Sequence, residues 1–166
     1  MDQLAILAAL GSIAASMVGF AGLLTALRAS DERLDANDIT NIRILLIFSV
    51  SALVFALLPL PFVAGDLAAE QTWRSLAIIL GLYLLFWTIQ SPRWMKRKRL
   101  RPRRPLLYAG MLAAQGLTGG VMVAGSLLSG HAHSLYVAGV LWCLIAAIVV
   151  FVSQVFRMLP LDSREP

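Results

Sequence analysis

The long stretches without a charged side chain constrain this chain more than any other feature of its sequence. Four such stretches cover residues 3–27, 44–65, 75–92 and 105–156. A helix needs about 20 predominantly apolar residues to cross roughly 30 Å of hydrocarbon. Only 14% of all residues are charged, whereas soluble domains average about 25%. The pattern predicts an all-α, multi-pass membrane protein.

The fourth stretch is too long for a single crossing. Its 52 residues would form a straight helix of about 78 Å at 1.5 Å per residue. The polar, glycine-containing segment SGHAHS at 129–134 interrupts the stretch near its middle and predicts a tight turn between two helices. We therefore expect one transmembrane domain over residues 1–166 with five spans. The predicted spans are 4–27, 40–62, 74–91, 106–128 and 135–157.

Aromatic residues and prolines support these boundaries. Trp73 and Trp94 bracket the third span, 21 positions apart, which is about 31 Å of helix and matches the distance between two membrane interfaces. Pro59 and Pro61 lie near the end of the second span. Proline removes a backbone donor and clashes with the preceding turn. We expect these two residues to end or kink the second helix.

The distribution of basic residues predicts the orientation. Five crossings place Arg74 on one side of the membrane and the other thirteen Lys and Arg residues on the opposite side. Cytoplasmic loops carry the excess of Lys and Arg. This rule predicts an outside amino terminus and a cytoplasmic carboxyl terminus. Four spans would divide the basic residues eleven to three, so charge alone favours five spans only mildly, and the length of the apolar stretches decides the count.

The segment PRWMKRKRLRPRRP at 92–105 is predicted to be a basic cytoplasmic loop. Each basic residue near an anionic membrane surface contributes about 1 kcal/mol of attraction. We therefore expect contact with anionic lipid headgroups or an acidic partner, and no nucleic-acid binding, because no base-reading element accompanies the charge. The predicted headgroup residues are Arg93, Lys96, Arg97, Lys98, Arg99, Arg101, Arg103 and Arg104.

Small residues recur in two of the predicted spans. In the first span they are spaced alternately by three and four positions: Ala5, Ala8, Ser12, Ala15, Gly19, Gly22 and Ala26. In the fourth span, Gly116 and Gly120 form a GxxxG-like pair. Small side chains let membrane helices approach closely. We predict helix packing at Ser12, Ala15, Gly19, Gly22, Gly116 and Gly120, within one chain or between subunits.

The spans contain no Asp, Glu, Lys or Arg in their interiors, whereas ion-coupled transporters and proton relays usually keep such a residue inside the membrane. Gln115 is the strongly polar side chain nearest the predicted midplane, and Thr118 lies one turn further on. Either residue could contact a solute. The alternative role for Gln115 is a hydrogen bond between helices.

The predicted outer face has a short polar inventory that includes Asp66, Glu70, His131 and His133. Two carboxylates and two imidazoles are candidate ligands for a divalent metal and candidate acid–base groups. An HxH pair in a tight loop is also common without a metal, so ordinary interfacial residues are the simpler interpretation.

We expect from these features a multi-pass protein of the cell membrane, specifically a bacterial inner membrane, without catalytic function or cofactor. Its expected role is packing or assembly, through small-residue helix faces and the basic loop, with membrane lipids and a homo-oligomeric or membrane-protein partner. The alternative is a homo-oligomeric pore or facilitator for a small solute, lined by Gln115 and Thr118. An outer-face metal-dependent enzyme is the third hypothesis.

Overall fold

The computed structural model describes residues 3–29, 36–64, 70–97, 105–128 and 130–158. These ranges are helical almost throughout and contain no β-strand. The helices are α1 (Gln3–Ala29), α2 (Ala36–Leu57), α3 (Leu60–Ala64), α4 (Glu70–Arg97), α5 (Pro105–Leu128) and α6 (Ala132–Met158). Helices are expected because each backbone N–H bonds a carbonyl of the same segment. Hydrocarbon offers no hydrogen-bond partner in its place.

Five of these segments are long and apolar enough to cross a membrane, which confirms the predicted five-span helical fold. They cover Ala5–Leu23, Ile42–Val63, Glu70–Arg97, Pro105–Leu128 and Ala132–Phe156. The break between α5 and α6 lies inside the predicted turn at 129–134. The outside amino terminus and cytoplasmic carboxyl terminus remain predictions.

The third span is longer than the sequence predicts. Helix α4 begins at Glu70 and continues through Pro92 to Arg97, so the first six residues of the predicted loop 92–105 are helical. Contacts of the last turn account for the extension: the Met95 side chain is buried, and the Arg43 guanidinium lies 5.5 Å from the centre of the Trp94 ring. Tertiary contacts of this kind offset the cost of a proline in a helix interior.

Helix α6 lies at the centre of the bundle. It packs against α2, α4, α5 and α1, while α1 pairs with α2 and α5 pairs with α4. Two helical pairs therefore flank one central helix. The end at which α4 and α6 begin is called the histidine end below, and the end at which α4 finishes is called the basic end.

A proline-induced gap in the second span joins α2 to α6. The N–H of residue 59 would normally bond the Phe55 carbonyl, but Pro59 has no N–H. The break predicted at Pro59 and Pro61 is confirmed, because α2 ends at Leu57 and a short helix resumes at Leu60. The Tyr136 hydroxyl of α6 donates a hydrogen bond to the Phe55 carbonyl. The central helix thus supplies the donor that the proline removed.

Two glycines set the distance between α4 and α5. A Cβ on Gly119 would lie 2.9 Å from the carbonyl oxygen of Gly81, and a Cβ on Gly81 would lie 3.0 Å from that of Gly119. These are contacts with backbone, which cannot move aside as a side chain can. The two helices therefore cross with their main chains in direct contact, the geometry that small residues permit in membranes.

The first prediction concerns the carbonyl that Pro59 leaves free. We expect Tyr136→Phe to lower the free energy of unfolding by about 1–2 kcal/mol. In a Pro59→Ala background, residue 59 regains its N–H, so the same change should cost less than half as much. Denaturant unfolding of the four variants in mixed micelles measures this cycle. An equal loss in both backgrounds would contradict the proposed compensation.

The second prediction compares neighbouring glycines of α5. Gly119→Ala forces a methyl group against the Gly81 backbone and should destabilise the protein by about 1–3 kcal/mol. A Cβ on Gly120 meets nothing within 4 Å, so Gly120→Ala should be neutral or slightly stabilising, since alanine favours helix by up to about 1 kcal/mol over glycine. The same unfolding assay compares the stabilities of both variants. A larger loss for Gly120→Ala than for Gly119→Ala would contradict a helix crossing at Gly119.

Candidate functional site

Gln115 hydrogen-bonds across a helix interface. Its side chain is buried, and Nε2 donates to the Leu84 carbonyl of α4 over 3.0 Å. The same carbonyl accepts the Thr88 hydroxyl over 2.9 Å. Gln115 lies one turn from Gly119, so the close approach of the helices brings its amide within reach of α4. The role that the geometry gives this residue is an interhelical hydrogen bond.

The other predicted residues of α5 differ in their surroundings. The Thr118 hydroxyl donates to the Ala114 carbonyl of its own helix over 2.9 Å. A Cβ on Gly116 would lie 3.3 Å from Thr88 Cγ2, whereas the space around Gly120 is open. Sequence reasoning missed Gly119, which lies against the α4 backbone at Gly81. Its spacing of four from Gln115 would have placed both on one helical face.

The small residues of the first span face away from the bundle. Helix α1 buries Leu7, Gly11, Ala14, Met17 and Ala21, which form its inner face. The seven residues of the small-residue series are all exposed: Ala5, Ala8, Ser12, Ala15, Gly19, Gly22 and Ala26. A Cβ on Gly19 or on Gly22 would meet nothing within 4 Å. The predicted packing surface of α1 therefore has no neighbour within the described part of this chain.

At the basic end, three of the predicted headgroup residues lie on the last turns of α4. Arg93, Lys96 and Arg97 are exposed. The others, Lys98, Arg99, Arg101, Arg103 and Arg104, fall outside the described residues. Ser91 of α4 and Tyr108 of α5 are joined by a hydrogen bond of 2.9 Å between their hydroxyls. This end presents cations that can attract phosphate groups.

At the histidine end, the predicted metal ligands do not form a cluster in the described part of the chain. His133 packs against Trp73, with ring centres 5.0 Å apart and planes nearly perpendicular, and His131 is exposed. Asp66 lies outside the described residues. No three His, Cys, Asp or Glu side chains among the described residues are grouped as metal ligands. The imidazole of His133 thus has an aromatic neighbour here.

A groove of about 510 Å³ opens beside the first turns of α4. Its lining combines both charges with amide, hydroxyl and aliphatic groups: Glu70, Gln71, Arg74, Ser75 and Ile78. Glu70 Oε1 lies 3.1 Å from the position that a Cβ on Gly130 would occupy. The absence of a side chain at Gly130 therefore lets the Glu70 carboxylate lie against the turn that precedes α6.

Several buried polar atoms have no hydrogen-bond partner within the described part of the chain. They are Ser49 Oγ, Arg74 Nε, Ser126 Oγ, His133 Nε2, Trp142 Nε1 and both amide atoms of Gln154. Each unsatisfied group costs about 1–3 kcal/mol when shielded from solvent. Of these atoms, only Arg74 Nε belongs to a residue that lines the groove.

The third prediction separates the roles of Gln115 and Thr118. Gln115→Leu removes a donor between helices and should lower the free energy of unfolding by about 0.5–1.5 kcal/mol. Thr118→Val is the matched control, because its hydroxyl bonds only its own helix, and it should change stability by less than about 0.5 kcal/mol. Unfolding in micelles measures both. Equal losses in the free energy of unfolding would show that the hydrogen bond from Gln115 to the Leu84 carbonyl does not stabilise the protein.

Comparison with known proteins supplies no relative from which a function can be transferred. No protein-family model matches the chain, and no curated protein or solved structure matches it either. The function must therefore be inferred from the geometry of this integral membrane bundle.

Proposed function

We propose that this protein is a non-catalytic assembly component of a bacterial inner membrane. It associates with a second copy or another membrane protein through the exposed small-residue face of α1, while its basic end contacts anionic lipid headgroups. The observation that carries this proposal is the exposure of all seven small residues along that helix.

The composition of the exposed face of α1 favours a helical partner. Lipid chains are as apolar as leucine side chains, so a lipid-facing surface has no need of glycine, and close helix packing does. The exposed face of α4 illustrates an ordinary lipid-facing surface, with the large side chains Ile79, Leu82, Phe86 and Ile89. The exposed series on α1 instead carries side chains no larger than that of serine. Such a face lets the backbone of another helix approach closely.

The serines of α1 are compatible with this packing. The Ser12 hydroxyl donates to the Ala8 carbonyl, and the Ser16 hydroxyl donates to the Ser12 carbonyl, each over 3.0 Å. Their hydrogen-bonding capacity as donors is satisfied within the helix, so no polar partner is required. Ile13, Phe20 and Leu23 are exposed beside the series. They provide larger apolar surfaces next to the small-residue face of α1.

The basic end would orient the complex at the membrane surface. Arg93, Lys96 and Arg97 are exposed where α4 ends, and five further basic residues follow before α5 begins. Eight such charges near an anionic surface provide an attraction that weakens with ionic strength. The pore hypothesis has less support, because Gln115 and Thr118 both donate to backbone carbonyls.

The fourth prediction tests the α1 face. Gly19→Leu/Gly22→Leu adds two large side chains to the small-residue face of α1. The double variant should weaken association by about tenfold or more, equivalent to roughly 1.4 kcal/mol. Gly110→Leu is the matched control, because Gly110 is also exposed with nothing within 4 Å of its Cβ position. It should leave association unchanged. Native mass spectrometry of protein in lipid nanodiscs, with co-purified proteins identified, measures the assembly state.

The outcomes distinguish the possible partners. Loss of a homo-oligomer in the double variant supports self-association, and loss of a defined co-purified membrane protein supports a mixed complex. An assembly state identical to that of wild type contradicts the proposed role of α1.

A further inference from the structure

The side chain of His133 packs against Trp73 at the histidine end. The ring centres lie 5.0 Å apart, with the planes nearly perpendicular. His133 is partly buried, and its Nε2 atom is shielded from solvent without a hydrogen-bond partner in the described part of the chain. His131, two residues earlier, is exposed. The two histidines of this chain therefore have contrasting surroundings.

Trp73 also contacts the residue that closes the proline-induced gap of the second span. Its ring centre lies 5.9 Å from that of Tyr136. His133 and Tyr136 are three residues apart on α6, so they share one face of that helix. The Tyr136 hydroxyl donates to the Phe55 carbonyl. The His133–Trp73 contact therefore adjoins the hydrogen bond that ties α2 to α6.

Protonation of His133 conflicts with this packing. A neutral imidazole has one N–H, whereas the protonated ring has two N–H donors and a positive charge. In the packed position Nε2 has no acceptor among the described residues. Burying a charged donor without a partner costs more free energy than burying a neutral group. Because His133 is only partly buried, a turn of its side chain toward solvent would give the charged ring its water contacts.

Other charged groups at this end of the described chain come from α4. They are Glu70, whose carboxylate lies against Gly130, and Arg74. Their opposite charges have opposing effects on a cation at His133. The described residues of α1, α2, α3 and α5 at this end carry no charged side chain, and Asp66 lies outside the described residues. His133 belongs to no group of candidate metal ligands in the described ranges, so a proton is the cation considered for it.

We propose that the His133–Trp73 contact makes the histidine end sensitive to pH. At neutral pH His133 is uncharged and packs against Trp73. An imidazole in water takes up a proton at about pH 6.5, so acidification favours a state in which His133 has left Trp73 for solvent. The start of α6 is then held less firmly against α4. The stabilisation that the contact provides is present above about pH 6.5 and is lost as the pH falls. This proposal depends neither on the α1 face nor on the orientation in the membrane.

The first test compares melting temperatures of full-length protein in a maltoside detergent at about pH 7.5 and about pH 5.5, the range in which histidine changes charge. His133→Phe keeps an aromatic ring beside Trp73 but cannot bind a proton. We expect the acid-induced fall in melting temperature to be about 2–4 °C larger for wild type than for His133→Phe. His131→Gln is the matched control, because His131 is exposed, and it should show the wild-type fall.

The second test follows the imidazole signals by NMR with ¹³C-labelled histidine. The chain has two histidines, so the spectrum of His131→Gln assigns both signals. The ring-current shift from Trp73 is the difference between the His133 signals of wild type and Trp73→Leu. We expect this shift at about pH 7.5 and its loss at about pH 5.5.

His133→Gln provides a second variant that cannot be protonated if His133→Phe does not fold. The proposal is overturned if wild type and a folded His133 variant lose the same melting temperature on acidification. It is also overturned if the His133 signal keeps its ring-current shift at the lower pH.

Discussion

The requirement that backbone polar groups find partners inside hydrocarbon governs this fold. It restricts the described chain to helices, and its effect is clearest where a helix is broken. Pro59 leaves the Phe55 carbonyl without its usual donor, and the Tyr136 hydroxyl of the central helix takes that place. Tyr83 extends the same arrangement, since its hydroxyl bonds that of Ser51, which itself donates to the Ile47 carbonyl. The second span is thereby tied to α6 and to α4 by side chains that satisfy polar groups.

Close contact between α4 and α5 depends on a different property, the absence of side chains at Gly81 and Gly119. That contact brings Gln115 to the Leu84 carbonyl, so the most polar residue near the membrane centre serves packing. Elsewhere in the described part of the bundle, Arg74 Nε and Ser126 Oγ are buried without a hydrogen-bond partner. Polar groups are thus satisfied at the α4–α5 crossing and unsatisfied at some other buried positions.

The exposed surface of the bundle is correspondingly uneven. The middle of α4 exposes four large apolar side chains suited to lipid, at Ile79, Leu82, Phe86 and Ile89, whereas α1 exposes a continuous series of small ones. The basic end of α4 adds surface cations, and the opposite end adds a groove that contains both charges. These surfaces have distinct chemistry and lie on different parts of the molecule.

The number of spans, the turn at 129–134 and the break at Pro59 and Pro61 were determined by the sequence alone. Each depends on the composition of one contiguous segment: its hydrophobic length, a polar interruption or a missing N–H. Helix rotation and pairing were decided only by the tertiary structure. It selected Gly119 over Gly120 as the contact with α4 and turned the small residues of α1 outward. Hydropathy could not make those choices, because lipid-facing and protein-facing surfaces are both apolar in a membrane, and the contacts join segments far apart in the chain.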